Sequence, residues 1–201
     1  MRIIDASFMQ SAQSISDSPS PDVAEVAFLG RSNVGKSSLL NTLTHRKGLA
    51  KSSSTPGKTQ LINFFNIKFK NEQDPENPHL YARFVDLPGF GYAKVSKSLK
   101  EDWNKNLTGY LQKRACLQIF IHLIDARHPQ LEIDQNVDEF LKSIKRGDQL
   151  IINAFTKIDK LKQNDLAKLK RENPNGIFIS NLKKKGMQDL EQTISEYLYG
   201  H

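Results

Sequence analysis

The sequence predicts an α/β fold: a three-layer, doubly wound, mostly parallel sheet of six strands, one of them antiparallel. Three observations point to it. Short apolar runs alternate with segments of helical spacing, the pattern of strands joined by crossover helices. A glycine-rich turn separates the first core run from the helix behind it. A hydrophilic insert, Asn71-Glu72-Gln73-Asp74-Pro75-Glu76-Asn77-Pro78, reads as a hairpin tip, which reverses one strand.

The elements follow in order. Residues 10–22 are rich in Ser and Pro and poor in bulky side chains, so residues 1–22 are expected to form a flexible extension ahead of a single domain spanning 23–201. Ala24-Glu25-Val26-Ala27-Phe28-Leu29 is apolar enough for a buried strand at 24–29, and Ser38-Leu39-Leu40-Asn41-Thr42-Leu43 suits a helix at 36–45. Strands at 61–69 and 80–86 flank the insert, and the first of these is the antiparallel one. Helical patterns at 98–112, 132–146, 163–171 and 187–199 alternate with strands at 117–124, 149–155 and 176–180. The helical spacing is plainest at Asp165-Leu166-Ala167-Lys168-Leu169. A chain of 201 residues with 38% hydrophobic content suffices for one core.

Composition narrows the class. The lone Cys116 excludes an intrachain disulfide, fits a reducing cytosol, and reads as a packing residue. His45, His79, His122, His128 and His201 are scattered without zinc-ligand spacing, and His122 reads as a strand residue. No apolar run is long enough to span a bilayer, and Met1-Arg2-Ile3-Ile4-Asp5 lacks a sustained apolar signal region. A soluble, cytoplasmic monomer without membrane contact is expected.

Gly30-Arg31-Ser32-Asn33-Val34-Gly35-Lys36-Ser37 has the Gly-x-x-x-x-Gly-Lys-Ser spacing that wraps backbone amides around nucleotide phosphates. The glycines permit the bends that let N–H groups converge on phosphate oxygens, and the following helix adds its positive end. Lys36 neutralises β/γ-phosphate charge, and the Ser37 hydroxyl suits Mg²⁺. Thr156-Lys157-Ile158-Asp159 follows the apolar run Leu150–Phe155, hence sits where open α/β sheets bind ligands. Asp159 can accept from both guanine N1–H and its exocyclic amine, a donor pair adenine lacks, while the Lys157 stem lies along the base. Asp86-Leu87-Pro88-Gly89 supplies the third contact: Asp86 holds Mg²⁺ through water, and the Gly89 amide meets the γ-phosphate. The same tetrad is also a good turn sequence.

With these motifs in place the chain resembles the EngB/YihA/YsxC family of bacterial ribosome-assembly GTPases, within a wider group that includes Era and tRNA-modifying GTPases. The match runs from about residue 20 to the C-terminus and adds Thr-Pro-Gly-Lys-Thr-Gln at 55–60 and Asp-Ala-Arg-His at 125–128. The resemblance implies that the 55–60 stretch is the first switch, with Thr59 joining Ser37 and Asp86 on Mg²⁺ and Thr55 as the competing candidate. It further implies nucleotide contacts from Gly57, Lys58, Thr59, Gln60 and Leu61, and a last guanine-side loop at Ile179-Ser180-Asn181 acting through backbone amides. Ser180 also reads simply as a polar residue ending a strand. The wider pattern has Asn where this chain has Thr156, whose hydroxyl can still tether the loop.

Signalling GTPases usually carry Gln just after Asp-x-x-Gly to orient the attacking water; here the residue is Phe90, which cannot. Slow intrinsic GTP hydrolysis is therefore expected, carried by Lys36, Thr59, Gly89 and Asn33. Asn33 has two readings: as a helper for K⁺, as in related GTPases with Asn here, or as a bridge within the loop backbone. The formal net charge of +7 and pI near 9.4 suit a polyanion, RNA first. Lysines gather at Lys94, Lys97, Lys100 and Lys105, at Lys157, Lys160 and Lys162, and at Lys183-Lys184-Lys185. The resemblance makes the partner the large ribosomal subunit precursor, with its rRNA and ribosomal proteins, and implies a role in normal cell division and septation. GTP would order a surface around Phe90, Tyr92 and Lys94. The other reading is a GTP-controlled RNA- or ribosome-binding module with negligible turnover.

Overall fold

The computed structural model describes residues 1–51, 61–72, 74–90 and 106–200. Along the chain run β1 (Arg2–Ala12), β2 (Glu25–Gly30), α1 (Lys36–Leu43), β3 (Ile62–Lys70) and β4 (His79–Asp86). Then come helical residues 106–113 (α2), β5 (Leu117–Asp125), α3 (Glu132–Ile144), β6 (Leu150–Thr156) and a 3-10 turn, Ile158–Lys160. The chain ends with α4 (Gln163–Glu172), β7 (Ile177–Phe178) and α5 (Met187–Tyr199).

The strands form one sheet in the order β1-β3-β4-β2-β5-β6-β7. Neighbours from β4 to β7 pair in parallel. β3 is antiparallel to both of its neighbours, so it alone among the described strands runs against the rest. The hairpin expected at 71–78 is present: Lys70 pairs with His79, and the Asn71 N–H donates to the Pro78 carbonyl at 2.9 Å.

Alternation across the pleat builds the three layers. On β2, Val26 and Phe28 face one core with Leu39, Leu40 and Leu43 of α1 and Leu190 and Ile194 of α5. Ala27 and Leu29 face the other, with Tyr110 and Leu111 of α2 and Leu141 of α3. β2 is buried along its whole length, as a central parallel strand must be.

Two expectations are corrected. The sheet has seven strands, not six, because Arg2–Ala12 pairs with β3 and thus belongs to the sheet rather than to a flexible extension of residues 1–22. In β1 only Ile3, Ala6 and Ala12 are buried, and register shifts at Ile3/Asp5 and Phe8/Gln10 break the period-two signal. The Ser/Pro stretch behind it is tied down: Arg114 Nη2 donates to the Pro19 carbonyl at 2.7 Å, and Arg83 Nη1 to the Ser20 carbonyl at 3.0 Å. The last strand is shorter than the expected 176–180, because Ser180 leaves the sheet to bridge with Lys185. Among the described residues no helix is long and apolar enough to cross a membrane.

Candidate functional site

β2, β4, β5 and β6 all deliver their C-terminal ends to one edge of the sheet, where the sequence motifs meet. At the end of β2, a Cβ on Gly30 would lie 2.9 Å from the Leu123 carbonyl oxygen, so this position tolerates no side chain. Gly35 caps α1 with φ 106°, and Asn33 takes φ 63°, bends that turn successive amides inward. Val34 is buried and anchors the loop from beneath.

The Asp86–Phe90 turn is zipped onto this loop. Leu87 N–H donates to Phe28 at 3.0 Å, Phe90 N–H to Gly30 at 3.3 Å, and Ser32 N–H to Phe90 at 3.2 Å. Pro88 is buried within the turn. A Cβ on Gly89 would come within 3.0 Å of Ser32 Oγ, so the close approach of the two segments requires glycine. Lys36 pairs through its ammonium with the Asp86 carboxylate, and both side chains are largely buried, at 12% and 7% exposure. The cation expected to neutralise phosphates and the expected metal-side carboxylate are thus neighbours, with Ser37 beside Lys36 at the start of α1.

The base side is bonded to the phosphate side. Thr156 Oγ1 donates to the Val34 carbonyl at 2.7 Å, the tether expected of its hydroxyl. Lys157, left-handed at φ 59°, sends Nζ to the Asn33 carbonyl at 2.7 Å and to Asp125 Oδ2 at 2.9 Å, so its stem spans the gap between the two loops. Asp159, on the 3-10 turn with Ile158 buried beside it, accepts from Ser180 Oγ at 2.6 Å. That bond, first among the causes, holds its carboxyl below the ordinary value, so it stays an acceptor. Asn181 Nδ2 donates to the Gly35 carbonyl at 3.2 Å, closing a ring of contacts from base loop to phosphate loop.

The amides expected to reach a base from Ile179 and Ser180 are committed elsewhere. Ile179 N–H donates to Phe155 at 2.8 Å and Ser180 N–H to Lys185 at 3.1 Å, so a backbone contact from this loop must come from beyond Ser180. Gly57, Lys58, Thr59 and Gln60, with Thr55, Tyr92 and Lys94, lie outside the described residues; Leu61 begins the described segment that leads into β3.

Sequence reasoning gave Asp125 no role, yet its carboxylate joins Lys157 to Arg127, whose Nη2 lies at 2.7 Å. Burial pushes this carboxyl upward, but the bonds from Arg127 and Lys157 outweigh it and hold it well below the usual carboxylate range. An acidic residue closing the apolar run of β5 was the available signal. Arg31 also has an unforeseen partner: its Nε donates to Asp134 Oδ2 on α3 at 3.1 Å.

A mostly parallel sheet whose strand ends carry a glycine-rich phosphate loop, an Asp-x-x-Gly turn and a Thr-Lys-x-Asp turn, all bonded together, defines a P-loop GTPase. Residues 25–157, more than half of the chain, match the family model described as "50S ribosome-binding GTPase". The chain belongs to the EngB family of GTP-binding proteins. It is 73% identical to "Probable GTP-binding protein EngB" of Aliarcobacter butzleri over 201 residues, 100% of both chains. The protein of the same name from Campylobacter lari is 56% identical over 192 residues, 96% of this chain and 94% of that one. A crystal structure titled as a probable GTP-binding protein engB superposes with a TM-score of 0.62 at 24% identity, covering 89% of this chain and 100% of that chain, which speaks for the fold.

Proposed function

We propose that the protein is a GTP-driven switch in assembly of the large ribosomal subunit, with slow intrinsic hydrolysis, acting in the cytoplasm as a monomer. Normal septation and cell division depend on that role. The observation that carries this reading is the bonded frame joining Val34, Thr156, Lys157, Asn33, Gly35 and Asn181, which fixes the span between a phosphate loop and a base-reading carboxylate. In this reading, Lys36 leaves Asp86 to neutralise the β- and γ-phosphates, the Gly89 amide meets the γ-phosphate, and Asp159 accepts from guanine N1–H and the exocyclic amine. Ser37 and Asp86, with Thr59 from the first switch, would hold Mg²⁺; hydroxyl and carboxylate oxygens are the donor set that ion prefers, and the buried Asp86 already faces a cation. When bound, the ion supplies charge neutralisation at the phosphates.

The ribosomal partner is supported by the family description, "50S ribosome-binding GTPase", and by the net charge of +7. Potassium assistance is drawn from Asn33, an exposed residue of the phosphate loop whose backbone carbonyl is held by Lys157. Phe90 in place of a water-orienting Gln favours a second reading, a GTP-controlled ribosome-binding module with negligible turnover.

Two measurements test the proposal. Co-sedimentation with large ribosomal subunits is expected to be stronger with a non-hydrolysable GTP analogue than with GDP; equal pelleting removes the switch. Single-turnover GTP hydrolysis is expected to be faster in K⁺ than in Na⁺ and faster with subunits present. Hydrolysis absent under every condition selects the second reading.

A further inference from the structure

His122 has no role in the site as described, yet it lies directly beneath it. In the sheet it pairs with Leu29 on one side and Asn153 on the other, one register step before the Gly30 level. The residue is fully buried, and neither ring nitrogen has a hydrogen-bond partner among the described residues. The groups facing it are similarly short of partners. Asp134 Oδ1 of α3 stands 3.9 Å from His122 Nε2, and both it and Asn153 Oδ1 of β6 are buried and unbonded. Asp138, one turn along α3, is occupied by Lys142 at 2.6 Å and by Asn153 Nδ2 at 3.2 Å. Buried polar atoms without partners are rare in native proteins because each forfeits its hydration, and a group of four in one place calls for a function.

Two contacts lead from this cluster into the nucleotide site. The other Asp134 oxygen accepts from Arg31 Nε, inside the phosphate loop. The Phe90 ring lies 6.1 Å, centroid to centroid, from the His122 ring, and Phe90 is backbone-bridged to Arg31. One buried group therefore bears on two neighbouring segments of the site: the phosphate loop through Arg31 and the Asp86–Phe90 turn through Phe90. The His122–Asp134 gap exceeds a hydrogen bond by somewhat under an ångström, so a small shift of α3 or of Arg31 pairs two of the four unsatisfied atoms, His122 Nε2 and Asp134 Oδ1. That is the arrangement of an element with two packings rather than of an inert core.

We infer that His122 and Asp134 are positioning residues for GTP hydrolysis, setting Phe90 and Arg31 relative to the γ-phosphate. The inference rests on the GTPase reading. It sets the ring that stands where signalling GTPases carry Gln against a buried polar group.

The test is a double-mutant cycle read by single-turnover hydrolysis and by GDP and GTP affinity. His122→Phe fills the same space without polar atoms and is expected to change the hydrolysis rate about tenfold while leaving both affinities within about twofold. Against a Phe90→Ala background the same substitution is expected to change the rate less than in the unmutated chain, since only the route through Asp134 and Arg31 remains. A rate unchanged by His122→Phe, or changed equally in both backgrounds, overturns the inference, whereas a merely structural role would move stability and both affinities together. In the unmutated full chain, the His122 ring resonances are expected to differ between the GDP and GTP-analogue forms, and identical spectra overturn the inference even if the variant does not fold. An unmutated chain that neither binds nor hydrolyses GTP removes the parent reading, a result visible before any variant is made.

Discussion

At the scale of single residues, the proposed function gives Asp159 the choice of base. Its carboxylate is bonded by Ser180 and nearly buried, so it can present acceptors only. Asp159→Asn replaces one acceptor by a donor, which mismatches guanine but matches the carbonyl that xanthine carries in place of the amine. GTP affinity is expected to fall by about a hundredfold and xanthosine triphosphate to become the better ligand, measured by calorimetry. Retained preference for GTP would place the base reader elsewhere. The place of this carboxylate was legible because it follows the apolar run of β6 directly. The Arg31–Asp134 pair was not legible, since 103 residues separate its members and only the packing of α3 on β5 joins them.

His122 makes a second residue-scale prediction. Burial, working against the nearby Asp138 and Asn153, drops its imidazole from 6.5 to about 4. The unfolded chain therefore binds a proton that the folded chain refuses throughout that window, so stability rises with pH across it and is lost as pH falls from 6.5 toward 4. The full loss is roughly 3 kcal/mol. Urea unfolding of the native chain and of His122→Phe at a series of pH values isolates it: the variant's curve should be flatter between those limits, and parallel curves would contradict the buried neutral state.

At the scale of elements, the interior strands and most helices were readable because each buries apolar residues with one clear period. Met187–Tyr199 was foreseen to the residue, and Glu132–Ile144 to within two. β1 was not foreseen: an edge strand needs little apolar surface, and what sets its place is pairing with β3, a long-range property. The same limit hid the network around Glu25 at the far end of β2 from the phosphate loop. Glu25, fully buried, accepts from Arg83 Nη1 at 3.0 Å, Tyr110 Oη at 2.7 Å, and Arg114 Nε and Nη2 at 2.8 and 2.6 Å. Burial pushes its carboxyl up, and the donors, Arg114 foremost, outweigh that and hold it ionised. With Asp22 also on Arg83, at 2.8 Å, the cluster ties β2, β4, α2 and the segment before β2 together. Glu25→Ala leaves two buried guanidiniums without their shared anion and is expected to cost about 3–5 kcal/mol in urea unfolding, while GTP affinity of the folded protein stays within about twofold. A cost below about 1 kcal/mol would mean the arginines find other partners.

At the scale of the whole molecule, the three lysine groups read from the sequence fare differently. Lys94, Lys97, Lys100 and Lys105 lie outside the described residues. Lys157 is committed inward, to Asn33 and Asp125, and so does not belong to a free basic surface. Lys160 ends the 3-10 turn that carries Asp159 and Lys162 follows it, and Lys183, Lys184 and Lys185 occupy the loop after Ser180, which joins the two segments: its hydroxyl bonds Asp159 and accepts the Lys183 N–H at 3.1 Å. Folding thus gathers two stretches of charge, more than 20 residues apart in the chain, beside Asp159, with Leu182 among them at 77% exposure. A mobile counterion cloud is released when such lysines meet phosphates, so affinity for an RNA partner falls with salt by a slope that counts the contacts. Replacing Lys183 and Lys184 by Glu is expected to weaken co-sedimentation with large ribosomal subunits and to lower the log–log salt slope by about 1.5 to 2, the share of two phosphate contacts. Guanine nucleotide affinity, measured on the same preparation, should stay within about twofold, because the Asp159–Ser180 bond does not involve those side chains. An unaltered slope would take this loop out of the proposed interface and leave the polyanion to Lys94, Lys97, Lys100 and Lys105.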